Sequence, residues 1–428
     1  MKEIKALIIS ANPFSKVLNN GKTYEAIFWA FKSDCLSQLF FRTKDIRYAD
    51  FDYCNSYYGI TESDLIKRLI NVKYKCGGKV VKQVYFKNDY QESTIFIPFK
   101  KSKYKDILRD ILWLLPFWKN KELKQWLNST DADFIFAVAG GSKYLHKISK
   151  YISDFLKVPL VTFFTDDYLI NPKFGGLIGK ILKKRMKFFY TDTVKRSELL
   201  FVIGDEMAKE YTKYFGKIFY PIMNSVDSRS YIEPIIREKP VISYFGGLHL
   251  NRWKMIRNFA LLVGNRAEIW VYTISDISIV ERAALNKVGV KIKSRVFGDE
   301  LQKAMIDSDI LLHVESDNVV SRSFTKLSVS TKIPEYLISG RLVLGYGPPE
   351  VASMKLLTDN NIGFLISCEK TNEEMSLDME QVLTDFDFRM EFGKRAYNFA
   401  MQNFDRNRIS ENFKNKIITV ISKSHVIV

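Results

Sequence analysis

The chain has 428 residues, which is too long for one ordinary hydrophobic core, so we expect two domains. Hydrophobic residues make up 46% of it and aromatic residues 14%, a composition that excludes a disordered protein. Four cysteines without CxxC spacing indicate reduced thiols in the cytoplasm, and no apolar stretch reaches the length of a membrane span. The first residues, MKEIKALIIS, predict a buried strand rather than a signal peptide.

Short apolar runs bounded by turn residues predict parallel strands that are covered on both faces. In the first half these runs are Ile4–Ser10, Gln38–Phe41, Phe134–Ala139, Pro159–Thr165 and Leu199–Ile203. In the second half they are Val241–Phe245, Ile269–Ile274, Val290–Val296, Ile310–Val314, Leu342–Leu344 and Phe364–Ile366. With helical segments between them, they predict an α/β chain of two Rossmann-like, doubly wound domains that face each other across a cleft.

The boundary between the two domains is expected near Ser230–Pro240, where prolines and mixed charges indicate a linker. The first domain then covers residues 1–234 and the second residues 235–410. In folds of this class, ligands bind beyond the carboxyl ends of the strands, so the loops that follow the strands are where binding and chemistry are expected.

The net charge of +17 is concentrated in the first half of the chain. Through Ile236 there are 39 basic and 25 acidic residues, a surplus of 14, whereas the remainder has 26 and 23, a surplus of 3. Basic residues alternate with bulky apolar ones in Lys100–Lys124 and in Lys173–Arg196, a pattern that fits an anionic membrane surface. The alternative is a core-packing helix with a solvated lysine face. Nucleic acid is disfavoured as the anionic partner because no zinc-finger, RNP-like or helix-turn-helix pattern is found.

Two aspartates, Asp166 and Asp167, follow the predicted strand Pro159–Thr165 and are expected at the mouth of the cleft. A carboxylate there could orient an acceptor hydroxyl or accept its proton, which makes both residues catalytic candidates. The alternative is that one caps the next helix and the other is solvated.

Phosphate-binding features follow the first predicted strand of the second half. Gly246-Gly247 lets the backbone approach a ligand closely, and Arg252, five residues on, carries a guanidinium suited to phosphate oxygens. Further along the chain, the backbone groups of Val296 and Phe297 could bind the edge of a nucleobase.

The segment Ser330–Gly347, STKIPEYLISGRLVLGYG, predicts a short helix that leads into a strand. Ser330 or Thr331 is expected to cap the helix, and Gly340 is expected to end it. Lys332 and Glu335 then lie on one face near the helix start, where a cation suits a phosphate and a carboxylate suits a ribose diol.

The order of GGL…NR, RVFGDELQKAMIDSDILLHVES and STKIPEYLISGRLVLGYG resembles the donor half of GT-B glycosyltransferases, closest to the family 4-like group of bacterial surface-polysaccharide enzymes. Asn20-Gly21 resembles the glycine-bearing first loop on the acceptor side, and residues 411–428 resemble the terminal helix that crosses back to the first domain. The resemblance implies that Glu335 holds the ribose, that Arg252 and Lys332 hold the diphosphate, and that transfer is retaining and needs no metal.

This sequence departs from the family pattern in two places. Leu327 stands where an acidic residue near the donor sugar is common, so Glu315 or the serines Ser328 and Ser330 are candidates to replace it. Phe164 stands where many members have a histidine.

The predicted function is transfer of a sugar from a nucleotide-diphosphate donor to a hydroxyl acceptor, expected to be a lipid-linked saccharide at the inner face of the cytoplasmic membrane. No metal or other cofactor is expected, because no His/Cys cluster has zinc spacing. Two of the three Asp-x-Asp pairs, Asp131/Asp133 and Asp307/Asp309, flank the starts of predicted strands, where aspartate is a common turn former. A nucleotide-sugar epimerase or hydrolase of the same fold, or a non-catalytic saccharide-binding protein, are the alternatives.

Overall fold

The computed structural model describes residues 3–15, 19–41, 49–82, 103–171, 176–273 and 277–426. For residues 19, 20, 22, 103–108, 176–178 and 423–426 it describes the backbone. The elements before residue 222 are β1 Ala6–Ser10, α1 Asn19–Phe28, β2 Leu36–Phe40, β3 Ser56–Gly59, α2 Glu62–Ile70, β4 Gly78–Val80, α3 Lys103–Leu114, α4 Lys121–Ser129, β5 Phe134–Ala139, α5 Lys143–Leu156, β6 Leu160–Phe164, α6 Gly176–Arg196, β7 Ser197–Val202, α7 Asp205–Phe215 and β8 Tyr220–Pro221.

The elements after residue 240 are β9 Val241–Phe245, α8 Arg252–Val263, β10 Glu268–Thr273, α9 Ile279–Asn286, β11 Val290–Ser294, α10 Gly298–Ile306, β12 Ile310–Val314, α11 Val319–Thr325, α12 Ile333–Ile338, β13 Leu342–Gly347, α13 Ala352–Asp359, β14 Phe364–Ser367, α14 Asn372–Thr384, α15 Phe386–Asn403 and α16 Arg406–Val426. Within the described residues, no helix combines the length and the hydropathy needed to cross a bilayer.

The strands form two sheets, one in each half of the chain. Among the described residues, the first sheet has the order β4-β3-β2-β1-β5-β6-β7-β8 and the second the order β11-β10-β9-β12-β13-β14. All neighbouring strands are parallel except β3 and β4. The α/β class with two Rossmann-like domains is therefore confirmed. Every predicted apolar run overlaps a strand, and Ile274, at the end of one run, lies outside the described residues.

Each sheet has a point at which the strand order reverses. In the first sheet the chain leaves β1 toward β2 on one side, and it later continues from β5 toward β6 on the other side. In the second sheet β9 and β12 hold the corresponding positions. Helices that connect strands on opposite sides of such a point cover opposite faces of the sheet, so a crevice opens between them at the carboxyl ends of the strands.

The segment between β8 and β9 is attached to the second sheet by buried polar groups. Asp309, at the start of β12, accepts hydrogen bonds from the backbone N–H of Val241 at 2.8 Å and from Arg237 Nη1 at 2.9 Å. Buried Arg341 donates to the carbonyl oxygens of Ile232 at 2.7 Å and Ser308 at 3.1 Å. These bonds fix where the chain enters the second sheet.

Helix α16 packs against α1 of the first half. Buried Phe413 makes edge contacts with Phe28 of α1 at 5.3 Å and with Phe136 of β5 at 5.5 Å, measured between ring centroids. Ser410 Oγ accepts from the backbone N–H of Ala30 and donates to the carbonyl of Ile27. The end of the chain is thereby part of the core of the first half.

Replacing Phe413 by Ala should lower the free energy of unfolding by about 3–5 kcal/mol, because it leaves a cavity among the aromatic rings of α1 and β5. Urea denaturation followed by fluorescence measures the change. Leu377→Ala, on the exposed face of α14, is the matched control and should change it by less than about 0.5 kcal/mol. An equal effect of both substitutions would contradict the role given to Phe413.

Candidate functional site

A cavity of about 140 Å³ opens at the carboxyl ends of β9 and β12, where the strand order of the second sheet reverses. It is lined by Gly246-Gly247 after β9, Arg252 at the start of α8, His313 on β12, and Thr331 and Lys332 before α12. The buried Tyr336 hydroxyl, which accepts from the backbone N–H of Phe245 at 2.9 Å, ties α12 to β9. This contact brings residues almost 90 positions apart to one cavity.

Arg252 is held in the cavity wall by an ion pair. Its Nη2 donates to both carboxylate oxygens of Glu315, at 3.0 and 3.2 Å, and its Nε donates to the carbonyl of Val314 at 3.2 Å. Burial opposes the charged guanidinium, but the adjacent Glu315 carboxylate outweighs it and the pKa of Arg252 is raised. Glu315, which the sequence analysis considered as the acidic residue near the donor sugar, is thus buried in an ion pair with Arg252.

His313 lies on β12, which the sequence analysis predicted as a buried strand without assigning His313 a role. It is buried, it lines the cavity, and its Nε2 lies 3.5 Å from a Glu315 oxygen. Burial lowers its pKa to about 4, although Glu315 opposes the shift. The signal that could have located it is the alternation of polar residues in His313-Val-Glu315 at the end of an otherwise apolar strand.

The loop before α12 presents Thr331 and Lys332 to the cavity. Asn224, from the segment after β8, donates from Nδ2 to the carbonyl of Thr331 at 3.1 Å and so attaches this loop to the linker. Pro334 lies in the first turn of α12, and Gly340, which was expected to end the helix, has a φ of 70° after the helix end.

The prediction that Ser330 or Thr331 caps α12 is wrong. Lys332 is the N-cap and no side chain caps the helix, because Ser330 Oγ only accepts a long 3.4 Å bond from the Lys332 N–H. The helix has six residues, so few peptide dipoles are aligned toward the cavity. The positive charge of this loop therefore comes mainly from the Lys332 side chain.

Glu335 is half-buried one residue before Tyr336, and its carboxylate interacts with Arg295 and Arg229. The guanidinium of Arg295 also lies 4.5 Å from the centre of the Phe297 ring. Arg295 thereby connects Glu335 with the Val296–Phe297 segment, which sequence reasoning assigned to the nucleobase. Arg252 and Lys332 line the cavity, whereas Glu335, Val296 and Phe297 are not among its lining residues. Glu335 directly precedes Tyr336, which does line it.

The two aspartates after β6 have different surroundings. Asp167 is buried and accepts five hydrogen bonds: from the backbone N–H groups of residues 169, 170 and 171, from the Asn171 side chain, and from the Tyr211 hydroxyl. These donors occupy both of its oxygens. Asp167 therefore positions the loop after β6, as in the capping alternative, and its oxygens are not available to an acceptor hydroxyl.

Asp166 is partly exposed and has fewer partners. Thr165 Oγ1 donates to it at 3.3 Å, and Ser328 of the second half lies close enough to influence its ionisation. Burial raises the pKa of Asp166 above its ordinary value, and the hydroxyls of Thr165, Ser328 and Tyr168 oppose that shift. Asp166 thus lies where the first half meets the loop that leads to Lys332.

Two further contacts join the halves near Asp166. Lys355 Nζ pairs with Glu206 of α7 at 2.8 Å. Gly204, which precedes α7 with a φ of 82°, lies so close to Val329 that a Cβ atom on it would come within 2.7 Å of a Val329 methyl carbon.

Asn20 and Gly21 lie in the first turn of α1, and the Asn20 side chain is outside the described residues. A Cβ on Gly21 would lie 2.4 Å from the backbone nitrogen of Ser15. Glycine is needed here because the loop after β1 packs directly on the helix.

No family model matches the chain, and no curated protein sequence matches it. Solved structures do match. Alr3699/HepE of Anabaena, in complex with UDP and glucose, has 12% identity and a TM-score of 0.63 over 97% of this chain and 100% of that chain.

Two further matches also extend over both domains. TarM of S. aureus has 12% identity and a TM-score of 0.60 over 97% of this chain and 98% of that chain. WaaG, a glycosyltransferase involved in lipopolysaccharide biosynthesis, has 13% identity and a TM-score of 0.57 over 95% and 98%. The chain has the GT-B fold. The resemblance is confirmed at the level of the fold, and the family 4-like assignment stays a prediction.

Within the GT-B fold, the cavity leads to a prediction for nucleotide binding. Lys332→Ala should weaken the binding of a nucleoside diphosphate about 10- to 100-fold, because one charge-assisted contact to a phosphate is lost. Thermal stabilisation by a panel of nucleoside diphosphates measures the affinity. Exposed Lys326→Ala, six positions earlier, should leave it unchanged, and equal effects of both substitutions would contradict the assignment.

His313 leads to a prediction for acid stability. Its pKa of about 4 in the folded protein lies below the value of about 6.5 expected in the unfolded chain. The folded state therefore gains stability above pH 6.5 from keeping His313 neutral, and this gain is lost as the pH falls from 6.5 to 4.

His313→Gln should make the loss of unfolding free energy over this interval less steep by up to about 1.4 kcal/mol per pH unit. Urea denaturation at several pH values measures the slope. His146→Gln should act in the same direction, since burial also lowers the pKa of His146 to about 4. A slope equal to that of the unmodified protein would show that His313 is protonated, or exposed, in the folded state.

Proposed function

We propose that the protein is a glycosyltransferase that moves a sugar from a nucleotide-diphosphate donor to a hydroxyl acceptor. The observation that carries the proposal is the cavity between β9 and β12, where Gly246-Gly247, Arg252 and Lys332 converge. Asp166 of the other domain interacts with Ser328, two residues before Ser330 in the cavity wall. Paired glycines and two cations suit a diphosphate, and a carboxylate on the opposite side suits a hydroxyl group.

The donor is proposed to lie with its diphosphate at Arg252 and Lys332 and its nucleoside toward Glu335 and Phe297. Because Glu315 balances the charge of Arg252, the Arg252 fork supplies directed N–H donors, and the Lys332 ammonium supplies a second cation. Both groups would stabilise the charge that develops on the leaving diphosphate. With two cations in this place, we propose transfer without a metal, and the retaining outcome rests on the resemblance alone.

The acceptor is proposed to approach from the first domain, past Gly21 and the loop after β1, with Asp166 near its hydroxyl. The raised pKa of Asp166 moves this carboxyl group closer to the operating pH, which favours exchange of a proton with the hydroxyl. Closure of the cleft would exclude water and limit hydrolysis of the donor.

The donor and acceptor classes are further parts of the proposal. The HepE structures contain UDP with glucose or UDP-glucose, which supports UDP sugars as the first donors to test. The basic first domain supports a lipid-linked saccharide acceptor at the cytoplasmic face of a membrane. In the segment Lys100–Lys124 residues 100–102 lie outside the described residues, whereas most of Lys173–Arg196 forms α6.

The test of this function is UDP release from a panel of UDP sugars, with and without a bacterial lipid extract as the source of acceptor. Release that depends on the extract supports transfer. Release without any acceptor would favour the hydrolase or epimerase, and binding without release would favour a saccharide-binding protein.

Asp166→Asn should lower acceptor-dependent UDP release about 100- to 10,000-fold and leave UDP-dependent thermal stabilisation unchanged, because the carboxylate acts on the acceptor and not on the nucleotide. Asp205→Asn, at the exposed start of α7, is the matched control and should retain full release.

Asp167→Asn should instead lower the free energy of unfolding, since the amide cannot accept all five hydrogen bonds that the carboxylate receives.

Undiminished UDP release by Asp166→Asn would remove Asp166 from the proposed mechanism.

A further inference from the structure

Helices α2, α3, α5 and α6 of the first domain pack on one another in a row. Helix α2 packs on α3, α3 packs on α5, and α5 packs on α6. Trp113 of α3 stacks on Tyr144 of α5 at 4.5 Å between ring centroids, and Lys150 of α5 pairs with Asp192 of α6 at 2.9 Å. The inner side of this layer is therefore well packed, and its outer side faces away from the sheet.

The outer side exposes large apolar side chains in three of these helices and in the β4 region. They are Ile66, Leu69, Ile70, Val72 and Val81 around α2 and β4, Ile111 and Leu114 on α3, and Ile181 and Phe188 on α6. Ile70 is 81% exposed and Phe188 is 68% exposed. Nothing in the described structure covers them.

Cations surround these apolar side chains. From Leu65 to Lys82 the chain has six basic residues and no acidic residue. Lys75 pairs with Glu122 and Lys82 with Asp52 at the edge of the surface, whereas Lys67, Lys73 and Lys79 make no ion pair within the described part of the chain. On α6, helical spacing places Ile181, Lys184, Arg185 and Phe188 on one face, and all four are exposed.

We propose that the outer side of the α2, α3 and α6 layer, together with Val72–Lys82, is the surface by which this protein docks on an anionic lipid membrane. The proposal deepens the membrane association that forms part of the proposed function, and it adds α2 and β4, which the charge pattern of the sequence did not single out. Isolated apolar side chains between lysines can enter the headgroup region while the cations bind the lipid phosphates.

The distribution of charge argues against another protein as the partner of this surface. A second copy of the chain would bring the same cations face to face. A stable protein interface buries about 800 Å² per partner around a continuous apolar centre, whereas here the apolar side chains are separated by lysines and arginines. An anionic bilayer can bind interspersed cations and apolar side chains without shape complementarity.

The experiment is sedimentation of the full chain with vesicles of phosphatidylglycerol and phosphatidylcholine, compared with vesicles of phosphatidylcholine alone. Binding is expected to the anionic vesicles at about 0.1 M salt and to weaken at about 0.5 M salt. The variant Ile66→Ser/Leu69→Ser/Ile70→Ser should lower the partition coefficient about 30-fold, because three apolar side chains no longer enter the bilayer. Lys73→Gln and Lys79→Gln should each lower it about 5-fold.

The matched control is Ile279→Ser/Val280→Ser, which removes two strongly exposed apolar side chains from α9 in the second domain and should leave vesicle binding unchanged. Equal vesicle binding by the triple variant and the unmodified chain would overturn the proposal. Equal binding to neutral and anionic vesicles would also overturn it, as would sedimentation-velocity data in which the triple variant loses self-association instead of vesicle binding.

UDP-dependent thermal stabilisation of the same variants separates this proposal from the proposed function. Loss of vesicle binding with unchanged UDP stabilisation is the expected pattern. Vesicle binding without any response to UDP would support the docking surface and contradict the proposed nucleotide-sugar site.

Discussion

The reversal of strand order at β9 and β12 is the constraint on which the site depends. A parallel sheet whose connections run in opposite directions from two adjacent strands cannot cover both strand ends with the same helix. The uncovered strand ends carry Gly246-Gly247 on one side and His313 and Glu315 on the other. Every other component of the site, including the loop of Lys332, is positioned relative to these two strands.

The electrostatics of the cavity follow from one buried ion pair. Removing Arg252 and Glu315 from water is costly, and the pair persists because the guanidinium donates to both carboxylate oxygens and to the Val314 carbonyl. The pair fixes the direction of the guanidinium fork more than it contributes net charge. Lys332, on a loop held by Asn224 through the Thr331 carbonyl, adds a second cation to the cavity wall.

The strands could be predicted because apolar residues buried on both faces leave a continuous signal in the sequence. The short strands β3, β4 and β8 were not predicted, because SYYG, GKV and YP are too short and too polar to give a continuous apolar signal. At the site, Arg252 and Lys332 could be assigned to one cavity from their positions after strands. The Glu315 partner of Arg252, the five bonds of Asp167 and the burial of His313 depend on contacts between distant residues, which no local pattern encodes.

The close approach of Gly204 and Val329 has a consequence for how tightly the two domains can pack. Because Gly204 has no side chain, the start of α7 lies directly against Val329 in the loop that carries Ser328 and Lys332. A methyl group at Gly204 would clash with the Val329 side chain. It would push the start of α7 away from this loop and open a gap at the edge of the cleft between the two domains, which would admit solvent.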